Sequence, residues 1–384
     1  MEDVDYTGAT RAHLEIARRY ASPLLLGPPM SEDLLALVRH MYSEEEAELV
    51  RHLKVHRPAT AVRLSRASGI PLEEARRILK TLAHEKFVLG FFGKADAEKY
   101  VLLPLVPGTF EMVLMRASKD TVTPWHRRFA ELFEALFSTG FAADYMRVPI
   151  DSVRYIPVGE ALPAVPEAMP CDRLESILER YDRFAIGVCQ CRLSKGLVGE
   201  GCGRLLETCT AFGDGVPMLV REGKMREASM RDVIEVKREA ESQGLVTWMF
   251  NVDYDARFNG SCSCCGCCCG ALRSITEFNT TGFISPPRYV PVLNTKECNL
   301  CGACGKVCPT GAMAVEESGG QKRHAFRSER CIGCGLCAVS CKQDALTLEE
   351  NADFFELPRN WNRYLLRYAP AFIRNVLHTW RDRR

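Results

Sequence analysis

The 384-residue chain has almost no charge bias. Fifty Lys and Arg against 49 Asp and Glu leave a formal net charge of +1, so no global field favours nucleic acid or acidic substrates. Long apolar runs are missing too, and none approaches the roughly 18 residues that a membrane-spanning helix needs. Met1-Glu2-Asp3 is acidic and lacks the charged-then-apolar pattern of a secretory signal, and there is no twin-arginine motif. A cytoplasmic protein is therefore expected. Histidine is scarce, eight residues scattered without a cluster. No serine–histidine–acid pattern stands out, and no catalytic acid or base can be named. Gly199-x-Gly201-x-Gly203 lies among cysteines without a strand-to-helix context, so it reads as a turn-rich loop and not a nucleotide cradle.

Cysteine is what the chain has in excess, with 19 residues. In a large chain without a signal pattern, reduced thiolates that bind metal are expected over disulfides. The most ordered stretch reads Cys298-x2-Cys301-x2-Cys304-x3-Cys308-Pro309, then Cys331-x2-Cys334-x2-Cys337-x3-Cys341. The two runs repeat at an offset of 33 residues, with Gly302 matching Gly335 and Ala312 matching Ala345. A zinc ribbon is the competing reading, but zinc sites take four ligands and not an interlocked eight. The stretch resembles the bacterial two-cluster ferredoxin domain. That resemblance implies crossed ligation: Cys298, Cys301, Cys304 and Cys341 on one [4Fe-4S] cluster, and Cys331, Cys334, Cys337 and Cys308 on the other. One departure is Lys342 after Cys341, where the first run has Pro309 after Cys308. It leaves an extra N–H and a positive charge near one cluster.

Ten of the other eleven cysteines fall in two groups. Cys189, Cys191, Cys202 and Cys209 are interleaved with glycines and can close round one further centre, either a [4Fe-4S] cluster or a zinc ion, and the company of two clusters favours iron. Arg192 and Arg204 stand near enough in sequence to offset its charge. Residues 262–269 hold six cysteines in eight positions. Alternate side chains of an extended chain point apart, so about half of them can share one centre. Cys264 with Cys267, or Cys265 with Cys268, are the expected ligands, with Gly266 freeing the bend. Cys264-Cys265-Gly266 resembles the paired-cysteine motif of heterodisulfide-reductase-type proteins, which hold non-cubane clusters, although that family's long-range partner spacing is absent. Cys171, alone after a proline-rich stretch, reads as a small buried apolar residue.

The rest of the chain sets these sites in an α+β, multidomain frame. Residues 1–42 read as N-terminal helices. Residues 43–106 read as three helices followed by a hairpin round Gly93-Lys94-Ala95-Asp96, and they resemble the winged helix-turn-helix family. Their charge is nearly balanced, with Glu73 and Glu74 beside Arg76, Arg77 and Lys80. Specific DNA reading is therefore not expected, and a docking or spacer role is. Residues 107–170 connect, with an aromatic helix (Trp125, Phe129, Phe133, Phe137) expected in a core and a proline-rich linker from Pro149 to Pro170. A cysteine-rich α/β middle domain (171–290), the ferredoxin-like domain (291–350) and a basic amphipathic tail helix (351–384) complete the order. Pro370 is expected to interrupt that helix, whose stretch 361–380 can meet a partner helix, lie on a membrane surface or pack on its own protein.

As a whole the chain resembles multi-cluster ferredoxin-like iron–sulfur proteins of anaerobes. The leading expectation is an electron-transfer protein that passes electrons through two [4Fe-4S] clusters, and one or two further thiolate centres, to a redox partner protein or oxidoreductase complex. The alternatives are a redox-sensing winged-helix regulator and an iron–sulfur reductase whose cysteine-rich centre does the chemistry. If the chain is an enzyme, it is expected to be an iron–sulfur oxidoreductase or a subunit of one.

Overall fold

Side-chain caps start the first helices. Thr10, Ser31 and Ser43 accept from the N–H groups of His13, Leu34 and Glu46 at the heads of α1 (Arg11–Tyr20), α2 (Glu32–Met41) and α3 (Glu44–Val50). At Ser43 the box closes, because the Glu46 carboxylate accepts the Ser43 N–H at 2.7 Å. The computed structural model describes residues 9–54, 57–93, 97–115, 121–164, 172–252, 257–354 and 356–383. Cys171 and the hairpin tip 94–96 lie outside the described residues. Two compact units divide the chain: Met1–Tyr145 with Leu193–Gly201 and Asn375–Arg384, and Met146–Arg192 with Cys202–Arg374. The fold is mixed α and β, as expected.

In the first unit, β1 (Ala59–Thr60) leads into α4 (Ala61–Ser68), which ends at Gly69 with φ 77°. α5 (Leu72–Lys80) follows. β2 (Gly90–Phe92) and β3 (Lys99–Val101) then complete an antiparallel sheet in the order β1-β3-β2. Arg76 and Arg77 on α5 pair with Glu73 and Glu74 one turn earlier. α6 (Phe110–Met115) and α7 (Pro124–Ser138) close the unit. On α7, Phe129, Phe133 and Phe137 are buried, so that aromatic stripe is core.

The second unit is built on a six-stranded antiparallel sheet in the order β4-β8-β9-β6-β5-β7. Its members in chain order are β4 (Val153–Tyr155), α8 (Leu174–Leu178), β5 (Phe184–Gly187), α9 (Gln190–Leu197, which continues into the first unit), β6 (Cys209–Gly213), α10 (Val216–Arg221), β7 (Arg226–Ala228), α11 (Met230–Ser242), β8 (Val246–Phe250), β9 (Phe258–Cys264) and α12 (Gly270–Thr276). β4 corrects one expectation. It comes from the stretch expected as a proline-rich linker, yet Val153 and Tyr155 are buried in the sheet. Pro149 and Pro157 flank this edge strand without interrupting its ladder, which is where a sheet tolerates proline. Residues 291–350 fall within this unit, as do residues 171–192 and 202–290.

A smaller substructure of the same unit holds the repeated cysteine runs. β10 (Tyr289–Leu293) enters, α13 (Ala303–Val307) follows, and β11 (Met313–Ser318) and β12 (Gln321–Phe326) form a hairpin. α14 (Leu336–Val339) and β13 (Leu346–Glu350) close it, with β13 antiparallel to β10. Gly319 and Gly320, at φ 61° and 77°, make the two-residue hairpin turn. α15 (Trp361–Asp382) then runs through Pro370, where an interruption was expected. In the second unit Tyr364 and Tyr368 anchor it, donating to Ile150 O and to Asp151 Oδ2, each at 2.9 Å. In the first unit Arg383 pairs with Asp144 at 3.2 Å. Among the described residues, no helix is long and apolar enough to cross a membrane.

Candidate metal centres

The 33-residue repeat is written into the backbone as well as the cysteines. Leu300 and Gly333 both have positive φ (57° and 68°), and so do Gly302 and Gly335 (76° and 78°) and Gly311 and Asp344 (68° and 49°). Each run therefore bends through the same left-handed positions, two before its short helix and one after it. At Gly333 no side chain fits, since a Cβ would lie 2.5 Å from Pro287 Cβ and 2.6 Å from Tyr289 O.

The bends enclose two cavities. One is lined by Cys298, Cys301, Cys304 and Cys341, and the other by Cys308, Cys331, Cys334 and Cys337. Each cavity thus draws three thiols from one run and one from the other. No carboxylate lines either cavity, and such all-thiol sets fit thiolate-held iron–sulfur clusters. Cys304, Cys337, Met313 and Leu346 share one apolar cluster, with Cys308 and Cys341 packed against it, so the two sites adjoin. Burial pushes Cys331 up to about 11, Cys337 up to about 12 and Cys334 well above the ordinary thiol value. Their protons must leave when metal binds. Cys301 of the first set is exposed. His324 on β12 brings Nε2 to 3.8 Å from Cys304 Sγ. Cysteine spacing carries no sign of it, because only the β11–β12 register brings that histidine to the site. Lys342, flagged from the sequence, is exposed.

The other thiols belong to the large sheet. β5 delivers Cys189, α9 carries Cys191, β6 begins at Cys209, and β9 carries Cys262 and Cys264. The registers Thr210↔Ser261, Trp248↔Cys262 and Val246↔Cys264, with strand alternation, turn Cys209, Cys262 and Cys264 to one face. There Cys209 and Cys262 share a hydrogen bond, and Cys269 bonds Cys264 and Cys191. Burial pushes Cys189 up to about 12. The hydrogen bond from Cys262 pulls Cys209 down and pushes Cys262 up.

Past Cys264 the chain leaves the strand, and the grouping changes. The Cys269 N–H bonds Cys265 O at 3.1 Å, closing a tight turn that gathers Cys265, Cys267 and Cys268 with Cys202. All four Sγ atoms lie within 4.8 Å of one another. Cys202 is therefore not grouped with Cys189, Cys191 and Cys209 as the spacing suggested, and Cys264 is not grouped with Cys267. Alternation holds along β9 and ends at its last residue. Gly266 is fixed by packing, because a Cβ there would lie 2.0 Å from Pro309 O. The thiol-rich turn thus rests on the residue that follows Cys308.

Two buried cations serve these thiols. Arg192 donates to Ser263 O at 3.1 Å and to Thr208 Oγ1 at 2.6 Å, and reaches Cys265 Sγ at 3.7 Å. Burial works against its charge, but the neighbouring thiols Cys189 and Cys265 outweigh it and hold its proton more tightly than usual. The hydrogen bond from Cys268, assisted by Arg192, pulls Cys265 down to about 4. Arg204, the other arginine flagged from the sequence, is exposed. Lys237 was missed. It is fully buried on α11, donating to Thr208 O at 3.3 Å and Ser263 Oγ at 3.2 Å. The available signal was its place four residues after Val233 and three before Ala240, on the apolar stripe of that helix.

Neither the curated proteins nor the solved structures contain a match to this chain. Residues 297–345 match the family described as the 4Fe-4S dicluster domain. This segment of the chain is accordingly an iron–sulfur, ferredoxin-like domain.

Proposed function

We propose that the chain is an electron carrier that holds two [4Fe-4S] clusters in crossed sets, Cys298, Cys301, Cys304 with Cys341, and Cys331, Cys334, Cys337 with Cys308, and passes electrons onward to a redox partner. The observation that carries this reading is the pair of adjoining cavities, each lined by four thiols drawn crosswise from the two runs. A thiolate-held cluster exchanges single electrons with little ligand movement. The protein's own contribution is a fixed bend at each ligand run, an apolar seal round the deeper thiols, and a graded exposure. Cys301 is open to solvent while Cys334 and Cys337 are buried, which supports entry or exit at the first set. Exposed Val292, Val307 and Val339 give a partner an apolar surface on this domain, and exposed Leu365, Leu366 and Ile373 give another on α15.

The first unit supports docking over gene regulation. α3, α4, α5 and the β1-β3-β2 sheet follow the order of a winged helix, but Arg76 and Arg77 are already engaged by glutamates on their own helix. A DNA reader presents such arginines unpaired to phosphate.

The test is to replace Cys341 by alanine and count iron and acid-labile sulfide anaerobically, with EPR of the reduced chain. The cluster of Cys298, Cys301 and Cys304 should be damaged and the other retained. Loss of the Cys331, Cys334 and Cys337 cluster instead would overturn the crossed assignment. An isolated chain without clusters that transfer electrons would overturn the carrier reading.

A further inference from the structure

The geometry points to a separate site for a single metal ion, zinc or mononuclear iron, held by Cys202, Cys265, Cys267 and Cys268. The argument is one of distance. Cys202 and Cys265 Sγ lie 3.9 Å apart, Cys267 and Cys268 Sγ 3.8 Å, and all four within 4.8 Å. Four thiolates on one tetrahedral ion at about 2.3 Å have edges of about 3.8 Å. An iron–sulfur cube places each thiolate on a different iron and keeps the sulfurs further apart. The same chain shows the contrast: among the described residues no other three thiols, histidines or carboxylates come this close, so the eight ferredoxin-like cysteines stand wider around their cavities. Cys267 and Cys268 are also neighbours in a tight turn, a poor way to reach two corners of a cube and a ready way to form one edge of a tetrahedron.

The scaffold holds this set in place. The Cys269-to-Cys265 hydrogen bond fixes the turn, the Gly266 backbone packs on Pro309, and Arg192 approaches Cys265 Sγ at 3.7 Å. Four thiolates around a divalent ion leave a net charge of about −2, which a buried guanidinium partly offsets. Ala240 and Leu245 pack against Cys265 and Cys268, while Cys267 remains exposed and leaves a route for the ion. Zinc and ferrous iron both accept an all-sulfur tetrahedron, so the donor set defines the class and the measurement decides between them. The inference does not rest on the electron-carrier reading, because a single ion bound here is counted separately from the clusters.

The experiment uses the full chain, isolated anaerobically, with zinc, iron and acid-labile sulfide measured for the native protein and for Cys202→Ser and Cys267→Ser, the two least buried ligands. Each variant should lose one zinc or one iron per chain while sulfide stays unchanged and the EPR of the reduced ferredoxin-like clusters persists. Sulfide falling together with several irons would assign these cysteines to a cluster and overturn the proposal, as would unchanged metal content. Should either variant fail to fold, the native protein decides. X-ray absorption at the zinc edge should give four sulfurs at about 2.3 Å, or Mössbauer spectra should show one iron outside the clusters. Oxygen or nitrogen ligands on the zinc, or the absence of both ions, would refute the site.

Discussion

In residues 298–341 the cysteines stand two and three residues apart on a chain that curls round its own ligands, whereas in 189–269 they are spread over two strands, a helix, a turn and the loops between them. The first arrangement is local and repeats, and it was the resemblance to the two-cluster ferredoxin domain that implied how its eight thiols divide. The second depends on which strands are neighbours. Cys209 and Cys262 meet because β6 pairs with β9, and Cys202 meets Cys265 because the turn after β9 is closed by a backbone hydrogen bond. Ligand spacing is informative where the ligands share one loop, and sheet order decides where they do not.

The comparison can be broken most sharply inside the repeat. Gly333→Ala combines a left-handed backbone with a clash against Pro287 and Tyr289, and should cost about 2–5 kcal/mol. Its counterpart Leu300 already carries a side chain at φ 57°, so Leu300→Gly should change stability by no more than about 1 kcal/mol. Thermal unfolding of the anaerobic protein reads both. Equal effects at the two positions would mean that the repeat is not asymmetric in the way the packing implies.

Next comes the point where the two regions touch. Gly266→Ala places a methyl group on the Pro309 carbonyl and should destabilise the chain by about 1–3 kcal/mol. It should also disturb the EPR of the cluster assigned to Cys308. A variant with weakened thiol sites at 262–269 but an unaltered ferredoxin spectrum would show that the two regions are independent.

Much of this was legible before folding. The aromatic core of α7 and the 33-residue repeat of the cysteine runs are both carried by local sequence. The role of Val153 and Tyr155 as a sheet edge was hidden by the prolines around them, since composition in that stretch outweighed a three-residue alternation. The regrouping of Cys202 was hidden for a different reason: its partners lie more than sixty positions away, and nothing in the spacing reports a turn closed by Cys269. Lys237 combines the two. Its helix position was readable, but the thiols that give a buried ammonium its use come from other strands.

Lys237 provides a smaller test of the sheet region. Burial lowers its proton affinity, while Cys262, Cys209 and Cys264 raise it, and of these three thiols only Cys209 is held below its ordinary value, with Lys237 among the causes. Lys237→Met keeps the volume and removes the charge. The fold should lose at most about 1–2 kcal/mol, but thiolate absorbance near neutral pH should fall in the metal-free protein, and the ferredoxin-like EPR should not change. Unaltered thiolate absorbance would mean that Arg192 alone balances this face.

The smallest effect separates stability of the fold from loading of the thiols. Asp151 sits beside β4 in the same unit, and burial raises its carboxyl pKa despite the opposing hydrogen bond from Tyr368 and the charge of Arg367. A raised folded-state pKa means that the folded chain binds this proton more tightly than the unfolded chain does. Stability contributed by the protonated carboxyl is therefore present in full below the unfolded value of about 3.9 and is lost as pH rises through the folded value. Asp151→Asn keeps an acceptor for Tyr368 and removes the titration. The variant should match the native chain at the acid end, gain on it as pH rises through that window, and then hold a constant advantage of less than about 1 kcal/mol. Metal content at neutral pH should not move, because Asp151 belongs to none of the thiol sites. Melting temperatures of both proteins across the acid range decide the matter. A native chain that gains on the variant as pH rises would show that Tyr368 and Arg367 stabilise the carboxylate more than burial penalises it.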